Sequence, residues 1–430
     1  MTLKHKILIL NLLAILFLIL LIFKLYNDRL EIYKFYFYGS FLFLFIIINF
    51  IIIFYFKKKV FFQNYILILF SCLFSVYCIE LLLLISNNIS KKNYEINQKK
   101  YQGTVESPKK VFLENFKENE KIFISLSPND LNSYQNELNF FFTSFSNEIN
   151  FLCKEADGKI FFRSDRFGFN NIDKLWDIVG TPIFLGDSFV QGWCVKNENN
   201  FVNKFTNLNI NLGIQNSGPL IQYAILREYL KKISNTKIYW FFYEGNDLED
   251  LSIEKQNKIL RKYLISKKFS QNLTERQDEI NLVNKKIREA IKSNKIKNVK
   301  NKNFYFKNLK NFIALKNIRT ELNNKFFIFI LYNQIILKTK SLLVEKNIEL
   351  NVVYLPSYER YINKKLFQNY KYNKILKILS SNNINVIDLK KNFFDKKKNI
   401  KKFYAFGESY HFSNLGHSRI ASFLKKNLRD

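Results

Sequence analysis

Long apolar runs dominate the first part of the chain, whereas short apolar and polar segments alternate in the remainder. Ile7–Phe23, Phe35–Phe56 and Tyr65–Ile85 each approach the ~20 apolar residues that a helix needs to cross the hydrocarbon core of a bilayer. A cleaved signal peptide could mimic the first run, but no small-residue cleavage site follows Phe23 and two more runs do. The pattern therefore predicts a transmembrane unit of three helices over residues 1–86.

Basic residues near these runs predict their orientation. The segment before the first run and residues 57–59, between the second and third, are rich in lysine, so the positive-inside rule places both in the cytoplasm. The loop between the first two runs is also basic, which makes the bias modest. Three spans then put the large C-terminal part outside the cytoplasm. Glu80, near the end of the third run, is interpreted as an interfacial residue that reaches lipid headgroups.

Short β-prone runs separated by helical ones begin after residue 160. The β-prone runs are Pro182–Leu185, Ile210–Leu212, Ile238–Tyr243, Leu350–Leu355 and Ile384–Leu389. Apolar residues at helical spacing lie between them, at Ile221–Ile233 and Tyr361–Leu379, and recur towards Leu428. This alternation predicts an α/β domain over residues 161–430, in which a parallel sheet is covered by helices on both faces.

Two segments depart from this alternation. Residues 87–160 are rich in Asn, Lys, Ser and Glu, which indicates a linker leading into the domain, and the Gly and aromatics of 161–171 suggest a strand–turn–strand. Residues 250–325 are Lys-rich and helix-prone, which predicts a helical insertion. The insertion is interpreted as a lid or side domain, or equally as a solvated helical excursion without a direct role.

Composition changes this picture little. The formal net charge is +31, but Lys, Asn, Ile and Phe are enriched together and all have A/T-rich codons, so genome bias explains the charge better than a nucleic-acid partner does. Four cysteines do not make a disulfide scaffold. Cys153 and Cys194 either pair, if the domain lies outside the cytoplasm, or remain free thiols. We expect no cofactor and no metal ion.

Histidine is scarce, which narrows the choice of a catalytic base. The chain has His5 at the membrane end, His411 and His417. His411 precedes the last helix and is free to face a site, whereas His417 falls in the first helical turn and is interpreted as a packing or surface residue. An imidazole base needs an orienting acid at its other nitrogen. Glu408 stands three residues upstream of His411 and is either that acid or an exposed loop glutamate.

Polar residues follow three of the predicted strands at their carboxyl ends, where open α/β sheets bind ligands. Ser188 follows the first strand within a Gly-Asp-Ser sequence and is the candidate nucleophile. The loop Gly213–Gly218 follows the second strand and offers backbone N–H groups. Asn246 follows the third and offers a side-chain amide. Donors of this kind could stabilise an oxyanion in acyl transfer, although an ordinary Asn-Asp turn has the same sequence.

This order of motifs resembles the SGNH, or GDSL, hydrolase superfamily, and in particular its membrane-anchored bacterial members. The resemblance runs roughly from Asp165 to Leu428, outside the insertion. It implies a flavodoxin-like three-layer α/β/α domain, with Ser188 as nucleophile and His411 as base. It also implies an oxyanion hole formed by the Ser188 N–H, an N–H of the second motif and the Asn246 side chain.

Two positions depart from the family pattern. The acid of the last motif is usually Asp, whereas this chain has Glu408, whose side chain is one methylene longer. The second motif commonly has Gly where this chain has Asn216. Asn tolerates the left-handed conformation better than most residues, so Asn216 is kept as an N–H donor and Gly213 is the fallback.

The resemblance and the predicted topology together imply a function. We expect an esterase that hydrolyses ester-linked acyl groups on cell-envelope or exported glycans, in the bacterial inner membrane with its catalytic domain on the periplasmic side. One alternative is an O-acyltransferase that modifies an exported polysaccharide. The other is a non-catalytic glycan-binding or assembly protein on the same scaffold.

Overall fold

The computed structural model divides the chain into two units by contact, residues 1–95 with 301–327 and residues 96–300 with 328–430. The structure describes residues 59–101, 107–133, 139–155, 158–206, 208–233, 236–293, 311–362, 369–407 and 411–428, together with the pairs 39–40, 43–44 and 47–48. The first two predicted membrane spans therefore lie almost wholly outside the described residues, as does Glu408.

The described part of the first unit contains most of α1 (Lys59–Tyr101) and also α10 (Lys316–Leu322), which is followed by a π-helical turn, Asn323–Phe327. The strands of the second unit are β1 (Ile122–Ile124), β2 (Ile149–Glu155), β3 (Gly158–Arg163), β4 (Ile183–Leu185), β5 (Ile210–Asn211), β6 (Lys237–Tyr243), β7 (Glu349–Leu355) and β8 (Asn385–Asp388). Its α-helices are α2 (Pro108–Asn115), α3 (Pro128–Asn132), α4 (Ser188–Gln191), α5 (Phe201–Phe205), α6 (Pro219–Tyr229), α7 (Asp247–Glu254), α8 (Lys258–Ile265), α9 (Gln277–Lys292), α11 (Ile328–Val344), α12 (Glu359–Ile362), α13 (Tyr370–Ser381), α14 (Leu389–Asn392) and α15 (Asn414–Leu428).

Two helices among the described residues are long and apolar enough to cross a membrane, Phe70–Ile89 and Lys316–Val344. Only 6% of the first is buried inside the protein, so its apolar side chains face outwards along most of its length. Half of the second is buried, as in the core helix of a soluble domain, and such helices meet the same criteria of length and composition. Phe70–Ile89 overlaps the third predicted span, and the three-helix unit stays a prediction.

Glu80 does not reach outwards from this apolar helix. Its side chain is fully buried, and its Oε1 accepts hydrogen bonds from the Asn317 N–H at 2.9 Å and the Asn317 Nδ2 at 2.8 Å. Its Oε2 accepts from the Ile318 N–H at 2.9 Å. Leu315, at the N-cap of α10, has no side-chain oxygen to accept these N–H groups, so a carboxylate from another helix replaces the usual cap. The interpretation of Glu80 as a headgroup-facing residue is wrong.

A five-stranded parallel sheet forms the centre of the second unit, in the order β5-β4-β6-β7-β8. Counted along the chain within this sheet the order is 2-1-3-4-5, which is the flavodoxin-like arrangement. Each strand lies within or one residue beyond the limits predicted from the apolar runs. The predicted α/β class with a parallel sheet is therefore confirmed.

Helices cover both faces of this sheet because the side chains of each strand alternate between them. On one face, Phe184 and Phe241 share a hydrophobic cluster with α5 and α15. On the other, Trp240 donates from Nε1 to Gln222 of α6, and the Phe242 ring packs 5.2 Å from that of Tyr332 on α11. The domain thus has three layers, and the polar ends of its strands meet at one edge.

A smaller sheet precedes the main one, in the region predicted to be a linker. Its order is β1-β2-β3, with β1 and β2 parallel and β2 and β3 antiparallel. The predicted second strand after the turn at 161–171 is absent from the described structure. There the buried Asp165 carboxylate accepts from the Phe167 and Phe169 N–H groups and from Trp176 Nε1, which gathers the chain into a loop.

Residues 258–292 of the predicted insertion pack against the rest of the second unit. Arg227 of α6 donates to four backbone carbonyls within 263–269, and the buried Glu228 accepts from the Gln271 and Leu273 N–H groups. Side chains of α9 bind the segment 119–146, for example through Arg288 and the carbonyl of Glu120 at 3.2 Å. Helices α8 and α9 therefore pack against the rest of the domain.

Candidate active site

The candidate nucleophile lies on a tight turn at the carboxyl end of β4. Asp187 accepts the Phe189 N–H at 3.0 Å and so caps the single-turn helix α4, which begins at Ser188. Gly192 ends this helix with φ at 81°, a conformation that favours glycine. Ser188 is 6% exposed and starts a short helix that Asp187 caps at one end and Gly192 ends at the other.

The candidate base reaches the serine from a loop more than two hundred positions away. The loop is held by a bridge between Tyr404 and Phe412 and by a hydrogen bond from the Ala405 N–H to the carbonyl of His411 at 2.9 Å. His411 Nε2 lies 2.8 Å from Ser188 Oγ, which is a hydrogen-bond distance. The two side chains are therefore in the relation that proton transfer between them requires.

His417 lies apart from this pair and packs within the domain. Its Nδ1 accepts the Phe201 N–H at 3.1 Å, and its ring stacks on that of Phe201 at 5.5 Å. Burial, with the nearby charges of His411 and Lys204, lowers the pKa of His417 to about 3. The imidazole is thus neutral at physiological pH, and the prediction of a packing role is confirmed.

A carboxylate that the sequence reasoning missed faces the other nitrogen of His411. Glu155 ends β2, and its Oε1 lies 3.9 Å from His411 Nδ1. The same oxygen accepts the Trp193 Nε1–H at 2.9 Å. A disulfide joins Cys153, two residues before Glu155, to Cys194, directly after Trp193, with the Cα atoms 5.6 Å apart.

The sequence carried one signal for Glu155. The polar composition of residues 87–160 predicts a linker and gives no reason to expect a site carboxylate there. The sequence leaves open whether Cys153 and Cys194 pair. Pairing alone places β2 beside the segment that follows Ser188, and Glu155 is the acidic residue nearest to that cross-link along the chain.

Besides the Ser188 N–H, three groups are predicted as oxyanion donors, and the structure distinguishes them. The Gly213 N–H already donates to Asn211 Oδ1 at 2.8 Å, so Gly213 is not kept as a donor. Asn216 has φ at 52°, the left-handed conformation expected for it, and its N–H has no partner among the described residues. The side-chain amide of Asn246 likewise makes no hydrogen bond within the described part of the chain, and its Oδ1 is buried. Asn216 and Asn246 stay candidate donors.

A cleft of about 320 Å³ opens at the serine. Its wall combines Ser188, His411 and Asn216 with polar side chains and Trp193, the further lining residues being Ser107, Pro108, Lys109, Ile124, Ser125, Leu126, Asp130 and Gln215. One wall therefore comes from the segment 107–130, which the sequence assigned to the linker. No described residue of the insertion lines the cleft. Two larger hollows, of about 570 and 520 Å³, contain neither Ser188 nor His411.

Buried carboxylates lie behind the nucleophile. Burial, with the neighbouring Asp250, raises the pKa of Asp187 to about 7, and burial raises that of Asp250 to about 7. Burial, with Asp187, places the pKa of Asp247 well above its ordinary value. Glu254 accepts the Leu220 and Gly218 N–H groups at the start of α6, and burial still raises its pKa to about 8. Asp187, Asp247 and Glu254 accept backbone N–H groups of the loops around the site.

Comparisons with known proteins add little to this geometry. No family model matches the chain, and no curated protein matches it. A solved structure described as a lipolytic protein of the G-D-S-L family from Desulfitobacterium hafniense DCB-2 is 12% identical, with a TM-score of 0.30, over 57% of this chain and 99% of that one. A second solved structure is 14% identical, also with a TM-score of 0.30, over 58% of this chain and 96% of that one. Identities and TM-scores this low carry no argument about function. The assignment of a flavodoxin-like fold rests on the strand order itself.

Proposed function

We propose that this chain is a membrane-anchored serine esterase of the SGNH type, which hydrolyses ester-linked acyl groups on cell-envelope or exported glycans. The observation that carries the proposal is the 2.8 Å contact between Ser188 Oγ and His411 Nε2. The contact lies at the carboxyl edge of a flavodoxin-like sheet, where ligands bind in folds of this kind. A serine that touches an imidazole in a cleft is the arrangement that nucleophilic acyl transfer requires.

The reaction proceeds through two half-reactions. His411 takes the proton of Ser188 as Oγ attacks the ester carbonyl carbon, and the Asn216 N–H and the Asn246 amide stabilise the oxyanion. The tetrahedral intermediate then expels the alcohol, which takes the proton from His411, and an acyl-serine remains. Water, deprotonated by His411, attacks this acyl group and releases the acid, and the proton returns to Ser188.

The cleft and the disulfide support the substrate class and the location. The cleft is near the lower end of the 300–1,000 Å³ typical of ligand sites, and its polar groups beside Trp193 suit a small acyl group on a polar acceptor better than a long lipid chain. The disulfide between Cys153 and Cys194 supports an oxidising compartment, hence the periplasmic side of a bacterial inner membrane.

Labelling of the full-length chain in detergent with a fluorophosphonate probe tests the proposal. The wild type should be labelled and Ser188→Ala should not, because the probe reacts with an activated serine. Ser422→Ala, on the exposed side of α15, is the matched control and should be labelled at the wild-type rate. Circular dichroism should show that each variant is folded.

The outcomes separate the alternatives. A folded wild type that is not labelled would contradict the esterase proposal and favour a glycan-binding or assembly role. If the wild type is labelled, incubation with an acylated donor and a glycan acceptor separates hydrolysis from transfer. Free acid alone supports the esterase, whereas acylated glycan would assign an O-acyltransferase.

A further inference from the structure

Two buried polar atoms, one in the candidate base and one beside it, lack hydrogen-bond partners among the described residues. His411 Nδ1 and Glu155 Oε2 are both buried, and neither makes a hydrogen bond with any described residue. The other carboxylate oxygen, Glu155 Oε1, lies 3.9 Å from His411 Nδ1. The Glu155 side chain is only 4% exposed. Burying a carboxylate is costly unless it is paired or hydrogen-bonded. The placement of this carboxylate against an imidazole therefore calls for a functional reason.

The surroundings hold Glu155 in this place from two directions. The Trp193 indole donates to its Oε1 at 2.9 Å, and the Trp193 ring also lies against that of His411, with the centroids 5.6 Å apart. The disulfide between Cys153 and Cys194 fixes the strand that carries Glu155 to the segment that carries Trp193. The segment of Trp193 directly follows α4, which begins with Ser188. The cross-link therefore restrains the positions of the Glu155 carboxylate and the Trp193 indole relative to Ser188.

We propose that Glu155 is the positioning residue that orients His411, in place of the acid expected from the last motif of the chain. This inference rests on the proposed function. Glu155 accepts the Nδ1–H, which leaves Nε2 unprotonated and aimed at Ser188 Oγ, and its charge stabilises the imidazolium that forms when Nε2 takes the serine proton. A hydrogen bond requires the atoms to approach by about 1 Å, and contacts of this kind commonly shorten when substrate binds.

Other ionisable groups in or near the cleft also bear on any pH dependence. Lys109 and Asp130 line the same cleft and pair with each other at 2.8 Å. His417 does not line the cleft, and it stays neutral because burial lowers its pKa to about 3. Glu408 precedes His411 in the segment outside the described residues and is the competing acid, so the experiment must include it.

The test measures the rate of fluorophosphonate labelling of the full-length chain between pH 5 and pH 9. Glu155→Gln keeps an oxygen for Trp193 but removes the charge, and it should slow labelling on the order of 10²-fold or more. It should also move the acidic limb of the profile to lower pH, because the imidazolium loses its neighbouring carboxylate. Glu155→Asp keeps the charge, so it should recover part of the rate and leave the acidic limb in place. Glu198→Gln, at an exposed position after Cys194, is the control for loss of an acidic charge.

Each outcome bears on one proposal only. If Glu155→Gln is labelled at the wild-type rate, or more slowly but with an unmoved acidic limb, Glu155 does not position the base. A large loss in Glu408→Gln with Glu155→Gln unaffected would assign the role to Glu408 instead. In both cases Ser188 would remain the nucleophile. Absence of labelling in the folded wild type would contradict the esterase proposal itself.

Discussion

Single residues at the carboxyl ends of the strands hold the loops that carry the proposed chemistry. Glu244 and Arg360 form a buried ion pair, and Glu244 also accepts the Ser357 N–H at 3.2 Å. The pair joins the end of β6, two residues before Asn246, to the helix α12 that follows β7. Removing one partner of such a pair would leave an uncompensated buried charge.

Asn246 offers a test of the oxyanion hole that is separate from the nucleophile. Asn246→Ala should lower kcat for hydrolysis of p-nitrophenyl acetate by about 10²–10³-fold with little change in KM, because the donor acts on charge that develops in the transition state. Asn427→Ala, at an exposed position of α15, is the control and should leave both constants unchanged. An Asn246→Ala variant with the wild-type kcat would remove Asn246 from the proposed site.

At the scale of elements, side chains from distant segments replace local caps. Helix α10 begins after Leu315, which cannot cap it, and the Glu80 carboxylate of α1 binds its first N–H groups instead. Tyr77 donates to the carbonyl of Ile313 at 3.1 Å, one turn before Glu80 along α1. A charge in an apolar helix thus serves to dock a second segment within the same unit.

Loss of this cap should open the start of α10. Glu80→Leu should speed trypsin cleavage after Lys316 and Arg319 by roughly 5-fold, because a lost cap costs about 1 kcal/mol and proteolysis follows local opening. Glu321→Leu removes a carboxylate of α10 that pairs with Lys325 at 3.3 Å, and it should change cleavage much less. Equal cleavage rates in the wild type and Glu80→Leu would show that Glu80 does not hold this helix.

At the scale of the whole molecule, protonation of the buried carboxylates links stability to pH. Burial raises the pKa of Asp187 and Asp250 from 3.8 to about 7, and that of Glu254 from 4.5 to about 8. The unfolded chain ionises these groups near pH 4, whereas the folded chain keeps Asp187 and Asp250 protonated up to about pH 7 and Glu254 up to about pH 8. Their contribution to stability is therefore complete below about pH 4 and is lost as pH rises towards 8.

Urea unfolding of the full chain at pH 5 and pH 8 checks this linkage. The midpoint should be lower at pH 8, because the folded chain must then bury ionised carboxylates. Asp250→Asn should flatten the difference, since the amide cannot ionise. Asp395→Asn, at a position with an exposed carboxylate, is the matched control and should keep the wild-type difference. A midpoint that rises from pH 5 to pH 8 would contradict the raised pKa values.

The sequence alone determined the α/β class of the second unit, the five parallel strands and the placement of Ser188 and Asn246 at strand ends. These follow from local patterns, because apolar runs and turn residues reflect the environment of their own segment. The positions of Glu155 and Glu80 were decided only by tertiary structure. Each acts on a partner hundreds of residues away, and a carboxylate that binds an imidazole or caps a distant helix looks, along the chain, like any other glutamate. The small sheet that carries Glu155 is cross-linked to the segment after Ser188 through Cys153–Cys194, a contact that the polar composition of residues 87–160 does not reveal.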